Sequence, residues 1–377
     1  MRKHLFALVL TLAALAVFAA SPAAAPAPLS RQVYLPPRLY AVEGQELNIY
    51  FANLSVFPLP GAVEVVAKVG AQFADRYRFI PGPKEVGTHK VRLEWRDVDG
   101  KLLAEAETVI EVAPAKPAAP KSLTLLMVGD SLTNATYYPR RIVEALRADG
   151  FTVATIGSHA GRGAPAGEDG VVHEGYGGWQ FSTFLTRWTN QKDFRAKSPF
   201  LTAPGKLDIP AYFAKRGGKL PDVITVMLGV NDIARCTRDT LPGKLDEIAQ
   251  NADKLIGALE AAAPKAKIGI AIIPPPASSQ DAFGDDYKTG INRAQYLRNV
   301  FALWQLMEKK YRNHPRWQLI PASVNLDCVN NYATAPVPFN AHNPQKRPMQ
   351  NNAVHPAPSG YRQIGDSFYF WIRSAVK

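Results

Sequence analysis

The chain has 377 residues, long enough for two domains with cores of their own. It is 47% hydrophobic and 20% charged, a globular composition that excludes disordered and fibrous classes. The formal net charge is +12, but Lys and Arg never run beyond two in a row and are not interleaved with aromatics. That argues against a nucleic-acid partner and for a solvated surface that favours acidic polymers.

The sequence begins M-R-K-H, followed by L-F-A-L-V-L-T-L-A-A-L-A-V-F-A-A and the small residues Ala23 to Ala25. A basic start, about 16 mostly apolar residues and a small-residue end form a secretory signal, here residues 1–25. The run is too short and wrongly flanked for a good membrane anchor. Its removal takes away Arg2 and Lys3, so +12 becomes +10. No cysteine precedes Cys236, which excludes a lipid-modified cysteine at the cleavage site. The expected product is exported, periplasmic or extracellular, with no stable membrane insertion.

Residues 22–28 read as a Pro/Ala-rich linker. Residues 31–113 then carry short alternating runs, L-N-I-Y-F-A, V-E-V-V-A-K-V, H-K-V-R-L-E-W and A-E-T-V-I-E-V. Turn signals at Pro58 to Gly61, Pro81 to Pro83 and Asp99-Gly100 separate them. This pattern predicts antiparallel sheet, a small β-sandwich accessory domain. The Pro-rich stretch 114–121 is a second, semi-rigid linker.

From 122 to 377 the pattern is α/β. L-T-L-L-M-V ends as a buried strand at Gly129, and residues 138–148 have helical spacing. V-I-T-V-M-L (223–228) and K-I-G-I-A-I-I (267–273) are further buried strands. Helices are expected over 244–262, about 290–311 and around Tyr361 to Trp371. Strands alternating with helices imply a parallel sheet covered on both faces. The irregular stretch 186–221 reads as an insertion near the site.

Four motifs carry chemistry. V-G-D-S-L-T puts Ser131 where the first buried strand runs out, at the carboxyl edge where open α/β sheets place their sites. The bland alternative is a capping serine. E-G-Y-G-G-W has paired glycines that let backbone approach a ligand, or that make an ordinary turn. M-L-G-V-N-D-I follows the second buried strand, and the Asn231 amide can donate to an oxyanion, or belong to a turn. N-A-V-H-P places His355 before the final helix, where a lone histidine is more often structural.

In this order the motifs resemble the SGNH, or GDSL-type, hydrolases over roughly residues 122–377. The resemblance implies a flavodoxin-like three-layer α/β/α fold and ester hydrolysis without metal or cofactor. By it Ser131 is the nucleophile and His355 the general base. Gly178, or Gly177 one register earlier, Asn231 and the Ser131 N–H form the oxyanion hole. Independently, a serine hydroxyl is a weak nucleophile until a base takes its proton, and fixed donors stabilise the oxyanion that follows.

Asn352 departs from the family, which commonly has Asp there. An Asn NH2 can donate to Nδ1 and favour the wrong tautomer, and Asp-to-Asn in a true triad slows turnover ~10⁴-fold. Four readings stay open: a backbone carbonyl orients His355, the Asn352 oxygen does, an acid such as Asp327 reaches in, or catalysis is weak. A Ser-His dyad with carbonyl or Asn352 support is favoured, because the other motifs are intact.

Tyr176 and Trp179 either face a sugar as a wall or pack locally. Cys236 and Cys328 make no zinc site at this spacing; in an exported protein they fit a disulfide, with two buried thiols as the alternative. The small β-domain and the signal resemble exported carbohydrate esterases acting on acetylated polysaccharide. The expected substrate is an acylated carbohydrate or other small ester. The rival readings are a lipase- or thioesterase-like esterase, acyl transfer, and a non-catalytic carbohydrate-binding protein on this fold.

Overall fold

A computed structural model describes residues 33–117 and 122–376; the expected signal segment lies outside them. The N-terminal part has seven strands: β1 (Arg38–Val42), β2 (Leu47–Tyr50), β3 (Ala62–Ala67), β4 (Ala71–Gln72), β5 (Arg76–Phe79), β6 (Gly87–Arg96) and β7 (Leu102–Ala113). They form two sheets, ordered β1-β7-β6-β3 and β2-β5-β4. The β6–β7 turn is set by Asp97, whose Oδ1 accepts from the N–H groups of Asp99 and Lys101.

The expectation of purely antiparallel sheet needs one correction. β1 runs parallel to β7, with Leu39 opposite Ile110. β1 leads directly into β2, which belongs to the other sheet, so β1 is free to pair with a distant strand. The long chain between β1 and β7 supplies the crossover that a parallel pair requires.

The two sheets do not stand apart from the rest of the chain. Tyr50 N–H donates to the Val324 carbonyl at 3.1 Å, and Asn53 Nδ2 donates to the carbonyls of Ser323 and Leu326. Asn48 N–H reaches Asn325 Oδ1 at 2.8 Å, and Tyr34 donates to Glu308 at 3.1 Å. Buried hydrophobic residues run from the N-terminal strands into the α/β part as one cluster.

The α/β part begins with β8 (Ser122–Gly129), α1 (Ser131–Asn134), α2 (Tyr137–Ala148), β9 (Thr152–Ile156), β10 (Glu174–Gly175) and α3 (Phe181–Thr186). Then come a small hairpin of β11 (Leu201–Ala203) and β12 (Lys206–Leu207), and α4 (Ile209–Lys215). β13 (Val223–Met227), α5 (Val230–Ile233), α6 (Leu241–Ala262) and β14 (Lys267–Ala271) follow. The chain closes with α7 (Gln280–Tyr287), α8 (Arg293–Tyr311), β15 (Trp317–Ile320), a hairpin of β16 (Thr334–Asn340) and β17 (Asn343–Gln350), and α9 (Pro358–Ala375).

All pairings in the main sheet are parallel. β9 flanks the lower part of β8 and β10 its last two residues; β13, β14 and β15 follow on the other side. Numbered within the sheet, β9-β8-β13-β14-β15 is 2-1-3-4-5, the flavodoxin-like order. β13 is buried at every residue, and β8 from Leu123 onward. Such strands require cover on both faces, and the helices supply it in pairs, α2 with α9 and α6 with α8. Among the described residues no helix is long and apolar enough to cross a membrane.

Candidate active site

The ends of β10, β8 and β13 lie side by side, with Gly175 and Met227 both paired to Gly129. Three turns therefore start from one line at the carboxyl edge. They carry Gly177 and Gly178, Ser131, and Asn231. Space makes Gly129 a glycine: a Cβ there would collide with Thr133 Oγ1 and stand 2.9 Å from the Met227 carbonyl oxygen. The chain then turns at Asp130, whose Oδ1 accepts from Leu132 N–H at 2.9 Å and caps α1. Asp130 is fully buried, and burial pushes its carboxyl up to about 7. Ser131 follows with its hydroxyl on the open side.

Trp179 N–H donates to the Tyr176 carbonyl at 3.2 Å, closing a turn around Gly177-Gly178. Gly178 has φ +82°, the value that a type II turn demands at its third residue and that glycine adopts freely. Tyr176 N–H holds this turn to the Gly129 carbonyl at 3.0 Å. A Cβ on Gly177 would lie 4.0 Å from Ser131 Cβ, so the glycine pair sits against the serine. Asn231 Nδ2 donates to the Trp179 carbonyl at 3.0 Å, and the Asn231 carbonyl accepts from Gln180 Nε2 at 2.9 Å. These bonds fix the amide beside the glycine turn and leave its second N–H uncommitted.

His355 arrives from the opposite side, on the loop between β17 and α9. Its Nε2 lies 2.8 Å from Ser131 Oγ. Its Nδ1 lies 3.2 Å from Asn352 Oδ1. That oxygen also accepts from the N–H groups of His355 at 2.8 Å and Val354 at 3.2 Å. Two backbone donors can only meet an acceptor, so Oδ1, not the NH2, faces the ring. Nδ1 then carries the proton, and the Nε2 lone pair is directed at the serine hydroxyl. Burial holds the His355 pKa below its ordinary value, and Asp286 partly opposes this.

The structure corrects the expected disulfide and decides two readings that the sequence left open. Asp327 does not reach His355; its carboxylate accepts from Val329 N–H, Asn330 N–H and Asn330 Nδ2 in its own turn. Tyr176 and Trp179 are 2% and 4% exposed and stack on each other at 4.1 Å, so they are packing and not a sugar-facing wall. The cause is buried Glu174, which accepts from Tyr176 at 2.6 Å and from Ser158 and Tyr212 at 2.7 Å; a buried carboxylate needs such donors. Cys236 and Cys328 are both free and buried. Their thiols face different carbonyls, of Asp232 at 3.5 Å and Leu326 at 3.7 Å, and burial raises both pKa values.

Asn299 Nδ2 instead braces the carbonyls of Ile233 and Cys236, and Gln350 Nε2 those of Cys328 and Val329. Asp286 carries no sequence signal, yet its Oδ2 accepts from Ala353 N–H at 2.6 Å. No motif surrounds it, and it lies far from His355 in the chain. A cleft of about 540 Å³ opens beside the oxyanion candidates, lined by Gly178, Asn231, Arg235, Thr240, Lys244 and Tyr287. Among the described residues no group of three or more His, Cys, Asp or Glu gathers as a metal donor set.

Residues 127–363, more than half of the chain, match the GDSL-like Lipase/Acylhydrolase family. Solved structures similar to the chain include a Clostridium thermocellum family 3 carbohydrate esterase, 17% identical over 68% of this chain and 98% of its own, with TM-score 0.41. A family 3 carbohydrate esterase from Talaromyces cellulolyticus is 16% identical over 67% and 98%, with TM-score 0.40. An acetyl xylan esterase is 16% identical over 68% and 100%, with TM-score 0.36. No curated protein matches the chain.

Proposed function

Because the chain belongs to the GDSL-like lipase/acylhydrolase family, we propose that it is a serine ester hydrolase working through Ser131 and His355. The observation that carries this reading is the relay Ser131 Oγ–His355 Nε2 at 2.8 Å with Nδ1 on Asn352 Oδ1 at 3.2 Å. Ser131 attacks the ester carbonyl as its proton passes to Nε2. The N–H groups of Gly178 and Ser131 and the Asn231 amide receive the oxyanion. The imidazolium then protonates the departing alcohol, and His355 activates water to release the acid from the acyl-enzyme. Asn352 is a neutral acceptor: it sets the tautomer but stabilises the imidazolium less than a carboxylate does.

The proposed substrate is an acylated, chiefly acetylated, carbohydrate, with the sugar seated in the cleft lined by Arg235, Thr240 and Tyr287. The lining mixes polar groups such as Arg235, Thr240 and Lys244 with apolar ones such as Ala234 and Ile291, a mixture that suits a sugar with both hydroxyls and an apolar face. We read residues 1–25 as a signal that exports the protein, residues 31–113 as an accessory domain, 114–121 as its linker and 122–377 as the hydrolase domain. The test is p-nitrophenyl acetate hydrolysis by purified protein and by Ser131→Ala, followed by acetate release from a panel of acetylated polysaccharides. Equal, measurable rates for both proteins would exclude Ser131 as the nucleophile, and no hydrolysis by the unaltered protein would leave a carbohydrate-binding protein as the better reading.

A further inference from the structure

We propose that Asp286 supplies the negative charge that position 352 lacks, its carboxylate acting as an electrostatic positioning partner of His355 from the end of α7. This rests on the Ser131–His355 reading above.

The geometry starts at Ala353, between Asn352 and His355. Its N–H donates to Asp286 Oδ2 at 2.6 Å, a short charge-assisted bond. Its carbonyl accepts from Ala277 N–H at 2.9 Å, so the histidine loop is gripped from both sides. The carboxylate is itself held in place. α7 is capped by Ser279, packs fully buried Phe283 against Tyr296, and is joined to β17 through Ser279 N–H and Gln350 Oε1 at 2.9 Å.

Several charged and titratable groups of neighbouring elements are engaged elsewhere. Asp130 is turned to Leu132 N–H, and Asp327 caps its own turn. Arg293 Nε donates to the Ala277 carbonyl, Arg347 pairs with Asp281 at 3.7 Å, and the Tyr332 hydroxyl donates to the Pro275 carbonyl. Asp286 is the charged group whose field opposes the effect of burial on His355. When the Ser131 proton reaches Nε2, the ring becomes cationic, and an anion bonded to the same loop from α7 favours that state. Asp286 is exposed, so water and salt screen its field. Its contribution is smaller than that of a carboxylate bonded to Nδ1, and it is sensitive to ionic strength.

Asp286→Asn separates charge from scaffold, because the amide oxygen still accepts from Ala353 N–H. In the full-length protein we expect kcat for p-nitrophenyl acetate to fall about three- to tenfold with KM nearly unchanged. The acid limb of kcat/KM should move to lower pH. Raising salt to ~1 M should slow the wild type more than the variant. Asp286→Glu should restore most of the rate, and the Asp286→Asn effect should shrink in an Asn352→Asp background. A variant within twofold of wild type with an unmoved acid limb overturns the proposal. So does a rate loss with neither limb shift nor salt effect, which makes Asp286 a strut. Ser131→Ala is measured in parallel: if it is active, the serine reading falls too; if it is inactive while Asp286→Asn is unchanged, this inference alone falls.

Discussion

The serine corner and the histidine loop meet at one hydrogen bond but are built differently. The serine corner is held by backbone. β8 is buried from Leu123 to its end, Gly129 leaves no room for a side chain, and the adjacent strand ends lie level with it. The histidine loop follows a largely exposed hairpin and is held by side chains, Asn352 within it and Asp286 from α7. Backbone placement costs little further ordering, because the sheet already fixes it. Side-chain placement can be changed one group at a time, so the acid that usually accompanies a catalytic histidine can be exchanged or moved on the loop side without disturbing the serine side.

The largest expected effect comes from removing either end of the relay. Ser131→Ala and His355→Ala should each abolish nearly all esterase activity, and the double variant should be no worse than either, since they act as one unit. Steady-state rates on p-nitrophenyl acetate measure this; clearly additive losses would mean the two ends work separately. Asn231→Ala should lower kcat about 10²–10³-fold by removing one oxyanion donor, while circular dichroism stays that of the folded protein. A loss of only a few fold would move the oxyanion hole elsewhere.

Asn352→Ala tests the softer side. Losing one hydrogen bond of ~1 kcal/mol should slow turnover about tenfold or less, far less than His355→Ala. A folded Asn352→Ala variant as inactive as His355→Ala would show that the loop has no redundancy. The smallest effect is a shape. Burial lowers the His355 pKa, so the neutral ring, the proposed base, persists below the usual histidine value of 6.5. The acid limb of kcat/KM should therefore lie below pH 6.5, and a limb above it would contradict the burial argument.

The difference between the two regions also governs how much of each is legible in the sequence. β8, β13 and β14 are continuous apolar runs, and the turns after β8 and β13 carry short motifs, so the residue pattern alone puts Ser131 and Asn231 on one sheet edge. In the hairpin, T-A-P-V-P-F-N alternates but carries two prolines, N-P-Q-K-R-P-M-Q has no apolar face, and prolines speak against strand. β9 is hidden for a related reason: T-V-A-T-I is short and only partly buried. Asn352 and His355 are legible as neighbours, but the direction of the Asn352 amide is not, because two backbone N–H groups decide it. Asp286 is invisible, since its role depends on α7 folding back onto a loop met 67 residues later. Tyr176 and Trp179 are ambiguous by sequence because the inward pull comes from Glu174, whose burial only the fold sets.

The docking of the N-terminal sheets sets a timetable for synthesis. Asn48 bonds to Asn325, 277 residues further along the chain. At about 5–20 residues per second, roughly 14–55 s separate the making of these two partners. Throughout that interval β1 and β7 have no α9 to pack against, and the β1–β7 pair must hold without it. Such non-local pairing is slow to form and leaves strand edges open meanwhile. The charges at those edges, Glu64 on β3 and Arg38 on β1, then serve the nascent chain as well as the finished one by discouraging other strands from adding there.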